Sequence, residues 1–132
     1  MAMSPDLIAS SLAYYFTADA SVPRPSAWQL SLHTATPGGN GTANEVTDSA
    51  YARQSVTFSD PDLANPLFPL VSNSALVSFP AASSSYTATH VVVWDVTRSA
   101  PLVIQRLIAD KAVPIGSQAQ LAIGELKIGG VI

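Results

Sequence analysis

The chain has no cysteine among its 132 residues, which excludes disulfides and thiolate metal sites and leaves the redox compartment open. Charge is scarce as well. Asp, Glu, Lys and Arg make up 11% of the sequence, where about 25% is usual for a soluble domain. The six bases, Arg24, Arg53, Arg98, Arg106, Lys111 and Lys127, are scattered and form no run, so nucleic-acid binding has no electrostatic footprint. No apolar run approaches the ~18 residues of a membrane helix. Residues 1–22 lack the basic start and unbroken apolar stretch of a secretory signal. No internal repeat, heptad or collagen-like period is present. These absences predict a soluble protein made in the cytoplasm, with no membrane and no nucleic-acid partner.

What is present is 48% hydrophobic residues and a net charge of −3. A lone small domain has a high surface-to-volume ratio and normally covers itself with charged side chains. A surface this poor in charge predicts burial against other subunits, including copies of itself. The length allows one domain with one core, taken as residues 1–132 and divided into a helix (4–17), a linker (18–26) and a β-sandwich (27–132).

Ser4-Pro5-Asp6 reads as a helix start: Ser as N-cap, Pro at the first helical position, an acid at the positive end of the dipole. Leu7, Ile8, Leu12, Tyr15 and Phe16 then recur at spacings of three to four. Pro23 and Pro25 keep the linker extended. From Ser26 the period becomes two. Trp28, Leu30 and Leu32 alternate with Gln29, Ser31 and His33, as in a half-buried strand. A second strand is expected over 51–58, then an irregular connection through Asp60-Pro61, Asn65-Pro66 and Pro69. Further strands are expected at 75–79, 90–96, 102–108, 118–123 and 126–131, with turns at Gly116 and Gly124 and with Pro101 and Pro114 at strand starts. Val91-Val92-Val93-Trp94 is apolar on both faces and reads as a central strand. The expected fold is all-β: an antiparallel β-sandwich or open barrel of about seven strands with one N-terminal α-helix.

Candidate chemistry is thin. His33 and His90 have serines and acids available, but no Gly-x-Ser-x-Gly elbow or triad spacing links them. Their positions give no metal-ligand spacing, and Asp60-Pro61-Asp62 reads as a turn. Gly38-Gly39-Asn40-Gly41 lacks the Gly-Lys-Ser/Thr ending of a phosphate loop; Asn40-Gly41 reads as the positive-φ pair of a tight turn. No cofactor, metal or catalytic residue is expected. Glu45 and Arg53, at the ends of the loop joining the first two strands, are expected to pair and brace it. Trp28 and Trp94 lie on periodic strands, which leaves Tyr51 and Tyr86, near loops, as candidate glycan contacts.

Several segments together resemble a known family. They are Leu32-His33-Thr34-Ala35 with Pro37-Gly38, Asn44-Glu45-Val46, and Tyr51-Ala52-Arg53-Gln54-Ser55-Val56-Thr57-Phe58. Phe79-Pro80-Ala81, Thr89-His90 leading to Trp94-Asp95, and the Gly116 turn follow. In these the chain is similar to small virion proteins of tailed bacteriophages known as phage tail fibre proteins. Where that family commonly shows Asp-Ala-Thr-Gly-Gly, this chain has Asp95-Val96-Thr97-Arg98-Ser99, which leaves the shape of that turn open. The resemblance implies a non-enzymatic virion component and brings no catalytic residues.

Fibres are built from repeats, coiled coils or interleaved strands, and none is found here. The expected role is therefore an accessory surface subunit that decorates or cements the capsid, contacting itself and the major capsid protein. The first alternative is a tail fibre, baseplate or fibre-adaptor component contacting tail proteins. A glycan-binding receptor module is the second. The loop residues Pro37, Gly38, Gly39, Asn40, Gly41, Asn44 and Val46 are expected to contact a neighbouring protein.

Overall fold

The computed structural model describes residues 2–18, 24–61 and 70–129. Helix α1 (Pro5–Phe16) begins where its start signal lies: the Ser4 hydroxyl accepts the Leu7 N–H at 3.0 Å and Pro5 occupies the first turn. It ends at Thr17, whose extended backbone still donates to Ala13 O. Ahead of it, β1 (Ala2–Met3) adds a short strand outside the sequence expectation.

The main sheet is antiparallel and five-stranded, in the order β1, β7 (Ala100–Val113), β6 (Tyr86–Asp95), β2 (Trp28–His33) and β3 (Gln54–Val56). Two short ladders complete the β structure: β4 (Leu70–Ser72) with β9 (Lys127–Gly129), and β5 (Val77–Ser78) with β8 (Gln120–Leu121). The fold is thus all-β and antiparallel with one N-terminal helix. The described residues hold nine strand segments. The terminal strand expected at 126–131 is internally paired with β4; its last two residues, most of the linker (19–23), Asp62 and the segment containing Asn65, Pro66 and Pro69 lie outside the described residues.

Register explains which side of the sheet is the core. Residues opposite one another in an antiparallel ladder point to the same side. Leu30 faces Val93, Leu32 faces Val91 and Val93 faces Val103, so these side chains share one face. There they meet Val77, Phe79, Leu121 and Leu126 in the buried cluster. Each fully buried side chain of this kind contributes roughly 1.5–3 kcal/mol, against about 0.5–1.5 kcal/mol net for a hydrogen bond. The apolar face drives folding and the polar bonds fix position.

The central position of Val91-Val92-Val93-Trp94 is as the pattern predicts: β6 lies between β7 and β2, and Val91 to Asp95 are all buried. Strand β2 differs from expectation. Ser31 and His33, the alternating polar side, are fully buried too, because the loop 34–53 folds back over them. Strand β7 runs longer than expected, and its pairing with β6 slips between Ala88 and His90, which face Lys111 and Arg106. The intervening residues bulge outward, leaving Ile108 fully open to solvent. Pro101 sits inside β7 and Pro114 just after it, a shift of the expected strand starts.

Candidate functional site

The polar face of β2 and β6 gathers the residues that the sequence singles out. The 34–53 loop leaves β2 and returns along it: Val46 N–H donates to Leu32 O and Thr34 N–H to Asn44 O. Its turn is made by Gly38, Gly41 and Asn44 at φ of 76°, 73° and 60°, rather than by the expected Asn40-Gly41 pair. Asn40 instead accepts from the Thr42 N–H and hydroxyl through Oδ1. Gly41 is pressed against the sheet. A Cβ there would lie 3.1 Å from Pro101 Cβ and 3.2 Å from Val92 Cγ1.

Glu45 and Arg53 meet as a two-pronged ion pair, Nε to Oε2 at 2.9 Å and Nη2 to Oε1 at 2.8 Å. The Arg53 guanidinium also lies 4.1 Å from the centre of the Trp94 ring, within reach of a cation–π contact. The Tyr51 hydroxyl donates to Glu45 Oε2 at 2.8 Å and accepts the Leu32 N–H at 3.0 Å. That backbone donor would otherwise be buried without a partner. Burial pushes the Glu45 carboxyl up, but the bonds from Arg53 and Tyr51 outweigh it and hold the group below its ordinary value. Burial raises the Tyr51 phenol. The Glu45 bond raises Arg53.

Beneath this brace lies a Ser–His pair, with Ser31 Oγ 2.8 Å from His33 Nε2. Such spacing is that of a nucleophile and its base, so the surroundings decide its meaning. Trp94 Nε1–H donates to Ser31 Oγ at 2.8 Å. His33 Nδ1 lies 2.7 Å from Ala43 O, a pure acceptor. His33 therefore carries its proton on Nδ1, and the Ser31 hydroxyl donates to Nε2. Burial holds the imidazole below its ordinary pKa. Ser31 and His33 are both 0% exposed, and a carbonyl stands where a triad has a carboxylate. The relay carries bonds from sheet to loop and offers no opening to a substrate.

A second clasp closes the loop's far end. The Asp48 carboxylate accepts from the backbone N–H and the hydroxyl of both Ser83 and Ser84. The Ser83 bonds lead in holding its pKa down at about 2. At the opposite end of the sheet, buried Asp95 accepts from Thr97 N–H at 2.9 Å and from Arg98 Nε at 2.9 Å. Arg98 reaches on to Asp6 of α1 at 3.1 Å. Ser99 takes φ 51°. The turn that departs from the family's Gly-Gly thus uses a serine in the left-handed region and an arginine that ties the helix down.

Of the residues expected to face a neighbour, Pro37, Gly41 and Val46 are buried against the chain's own sheet, whereas Gly38, Gly39, Asn40 and Asn44 stay exposed. Tyr51 stacks on Phe79 with ring centres 6.0 Å apart, so its ring and hydroxyl are both occupied. Tyr86 is half-buried beside the core. The structure does not bring Tyr51 and Tyr86 into a shared cleft. A cleft of ≈ 580 Å³ lies instead between α1 and the sheet, with Tyr14, Tyr15, Arg24, Trp28 and Arg98 among its walls. Sequence reasoning missed the Ser31–His33–Trp94 relay, the Asp48 clasp and buried Asn73, whose side chain bonds Ala75 O, Ala122 O and Leu126 N–H. The one available signal was scarcity: where charges are few, each is worth asking which bond it makes.

No helix among the described residues is long and apolar enough to cross a membrane, and no three potential metal ligands cluster among them. The family described as podophage GP4 fiber I protein gp80 matches residues 2–129. The chain belongs to that family. The gp80 fibre family makes it a phage virion component, associated structurally with the tail. No curated protein matches the chain.

Proposed function

We propose that this gp80-family chain is a non-enzymatic structural subunit of a podophage tail fibre, acting through protein–protein contacts. The observation that carries this reading is the family match across residues 2–129. It supports the tail-associated alternative over the capsid decoration or cement role that compactness and low charge led us to expect. The use of polar groups supports it further. His33, Ser31, Glu45, Arg53, Tyr51, Asp48 and Asp95 are each committed to bonds that hold loops and turns.

The exposed arc Gly38, Gly39, Asn40 and Asn44 remains the part of the loop offered to a neighbouring fibre or tail protein. Immunogold labelling of intact particles tests the reading. Gold on the tail is the expected result, and gold confined to the capsid would restore the cement role. A glycan-receptor role has less support, because the Tyr51 hydroxyl and ring are already engaged.

A further inference from the structure

The cleft between α1 and the sheet is walled by side chains that the fold itself leaves unspent. Its ≈ 580 Å³ lies within the range of about 300–1,000 Å³ usual for small-molecule sites. Trp28 stands on the sheet side, half-buried on β2 and edge to face with Phe58 at 6.2 Å. Tyr14 and Tyr15 stand on the helix side, themselves edge to face at 5.0 Å. Ser10 and Ser11 of α1, with Arg24 and Arg98, complete the polar lining. Elsewhere the few charged side chains are mostly committed to internal bonds: Arg53, Arg98, Arg106 and Lys111 are all ion-paired. The cleft differs. Among the described residues, the polar groups on the side chains of Ser10, Ser11, Tyr14, Tyr15, Arg24 and Trp28 make no hydrogen bond or ion pair. Arg98 holds Asp95 through Nε and Asp6 through Nη2, which spends two of its five N–H donors.

The combination narrows the ligand. Among the described residues no carboxylate lines the cleft. Arg98 is answered by its two acids, so Arg24 supplies the uncompensated charge, and that charge favours an anion. A hydrocarbon chain would strip water from the hydroxyls and the guanidinium and give no bond in return. A bare inorganic anion would answer Arg24 and leave three aromatic walls uncovered. A nucleic-acid strand carries a charge on every nucleotide, too many for one free cation on a chain of net charge −3. An acidic sugar meets every wall. The C–H face of its ring covers the negative face of an aromatic ring, its hydroxyls both donate and accept, and its carboxylate suits the planar fork of an arginine.

We propose that this cleft binds an acidic saccharide, with a sugar ring held between Trp28 and the tyrosines of α1 and its carboxylate on Arg24. Ser10, Ser11 and the unspent donors of Arg98 bond the hydroxyls. The site needs neither Tyr51 nor Tyr86. It rests on the chemistry of the cleft rather than on the fibre reading, so gold found on the capsid would leave it standing.

The test is a magnetic-resonance titration of the purified full-length chain. Of its two tryptophans, Trp94 is buried with its N–H on Ser31, so the two indole signals separate the cleft from the core. Trigalacturonate and sialyllactose are the acidic probes. At least one is expected to shift the Trp28 signal with a Kd on the order of 1 mM or tighter, leaving Trp94 in place. Their neutral counterparts, trigalactose and lactose, should bind about tenfold or more weakly. Arg24→Gln should abolish that preference, and Tyr15→Ala should weaken binding by about fivefold or more, both with an unchanged circular dichroism spectrum. Lys127→Gln, which removes a cation outside the cleft, should leave binding as it is. Failure of both acidic sugars to shift Trp28, equal binding of the neutral sugars, or a preference that survives Arg24→Gln would each overturn the proposal. A triglutamate peptide that shifts Trp28 as strongly as the acidic sugars would overturn it too, and would assign the cleft to an acidic protein segment.

Discussion

Loop 34–53 and helix α1 both lie against the five-stranded sheet, and they are held in opposite ways. The loop has polar fastenings along its length: Val46 to Leu32, the Glu45–Arg53–Tyr51 brace, His33 to Ala43, and Asp48 to Ser83 and Ser84. It also buries Pro37, Gly41 and Val46. The helix has polar ties from its first turn to the sheet and its turn, and Leu7 alone of its residues packs against the core. Regular secondary structure is therefore a poor guide to which segment is fixed. A glycine-rich loop with its backbone groups satisfied by partners is the firmer of the two, and the helix keeps most of its apolar side chains exposed.

The largest expected effect strikes the loop at its closest approach to the sheet. Gly41→Ala places a side chain at φ 73° with Pro101 Cβ 3.1 Å away; it should cost about 2–4 kcal/mol in urea unfolding. Next comes Arg53→Ala, which strips Glu45 of its partner and Trp94 of the overlying cation. A loss of about 2 kcal/mol is expected, less than for a fully buried pair because both groups are partly solvated. In a double-mutant cycle with Glu45→Ala, a coupling of about 1 kcal/mol is expected, and simple additivity would remove the brace.

Acid should loosen the same region. His33 is buried neutral, with its folded pKa below the ordinary 6.5, so below that pH the unfolded chain binds more protons than the folded one. Its contribution is complete above pH 6.5 and is lost as pH falls towards the folded pKa. Glu45 follows the same sign lower down: its stabilisation is present above its ordinary 4.5 and lost as the pH drops through its depressed value. The melting temperature should therefore fall between pH 7 and pH 5, and His33→Asn should flatten that slope while lowering stability at neutral pH. The smallest effect belongs to the helix. Phe16→Ser, at a side chain 80% exposed, should change the unfolding free energy by no more than about 0.5 kcal/mol, and a larger loss would mean the helix is part of the folded core.

The helix was readable in the sequence because its start is a local matter: Ser4, Pro5 and Asp6 act within one turn. Strand β6 was readable because four apolar residues in succession need cover on both sides. The sequence pattern for β2 failed at Ser31 and His33. Alternation separates apolar from polar side chains, but it cannot tell solvent from a loop that returns 10 residues later and takes the polar face inside. The pairing of Glu45 with Arg53 followed from charge scarcity and loop position. The roles of Asp48, Asn73 and Arg98 did not, since their partners Ser83, Ala122 and Asp6 are 35, 49 and 92 residues away and nothing periodic connects them. Tyr51 looked like a loop aromatic because its stacking partner, Phe79, also lies far along the sequence.

Hydrogen exchange measured residue by residue on the purified chain tests the contrast most directly. Slow exchange is expected at Val46 and Thr34, whose amides bond Leu32 O and Asn44 O, with the α1 amides exchanging fast. Protection of α1 equal to or greater than that of Val46 would contradict the account.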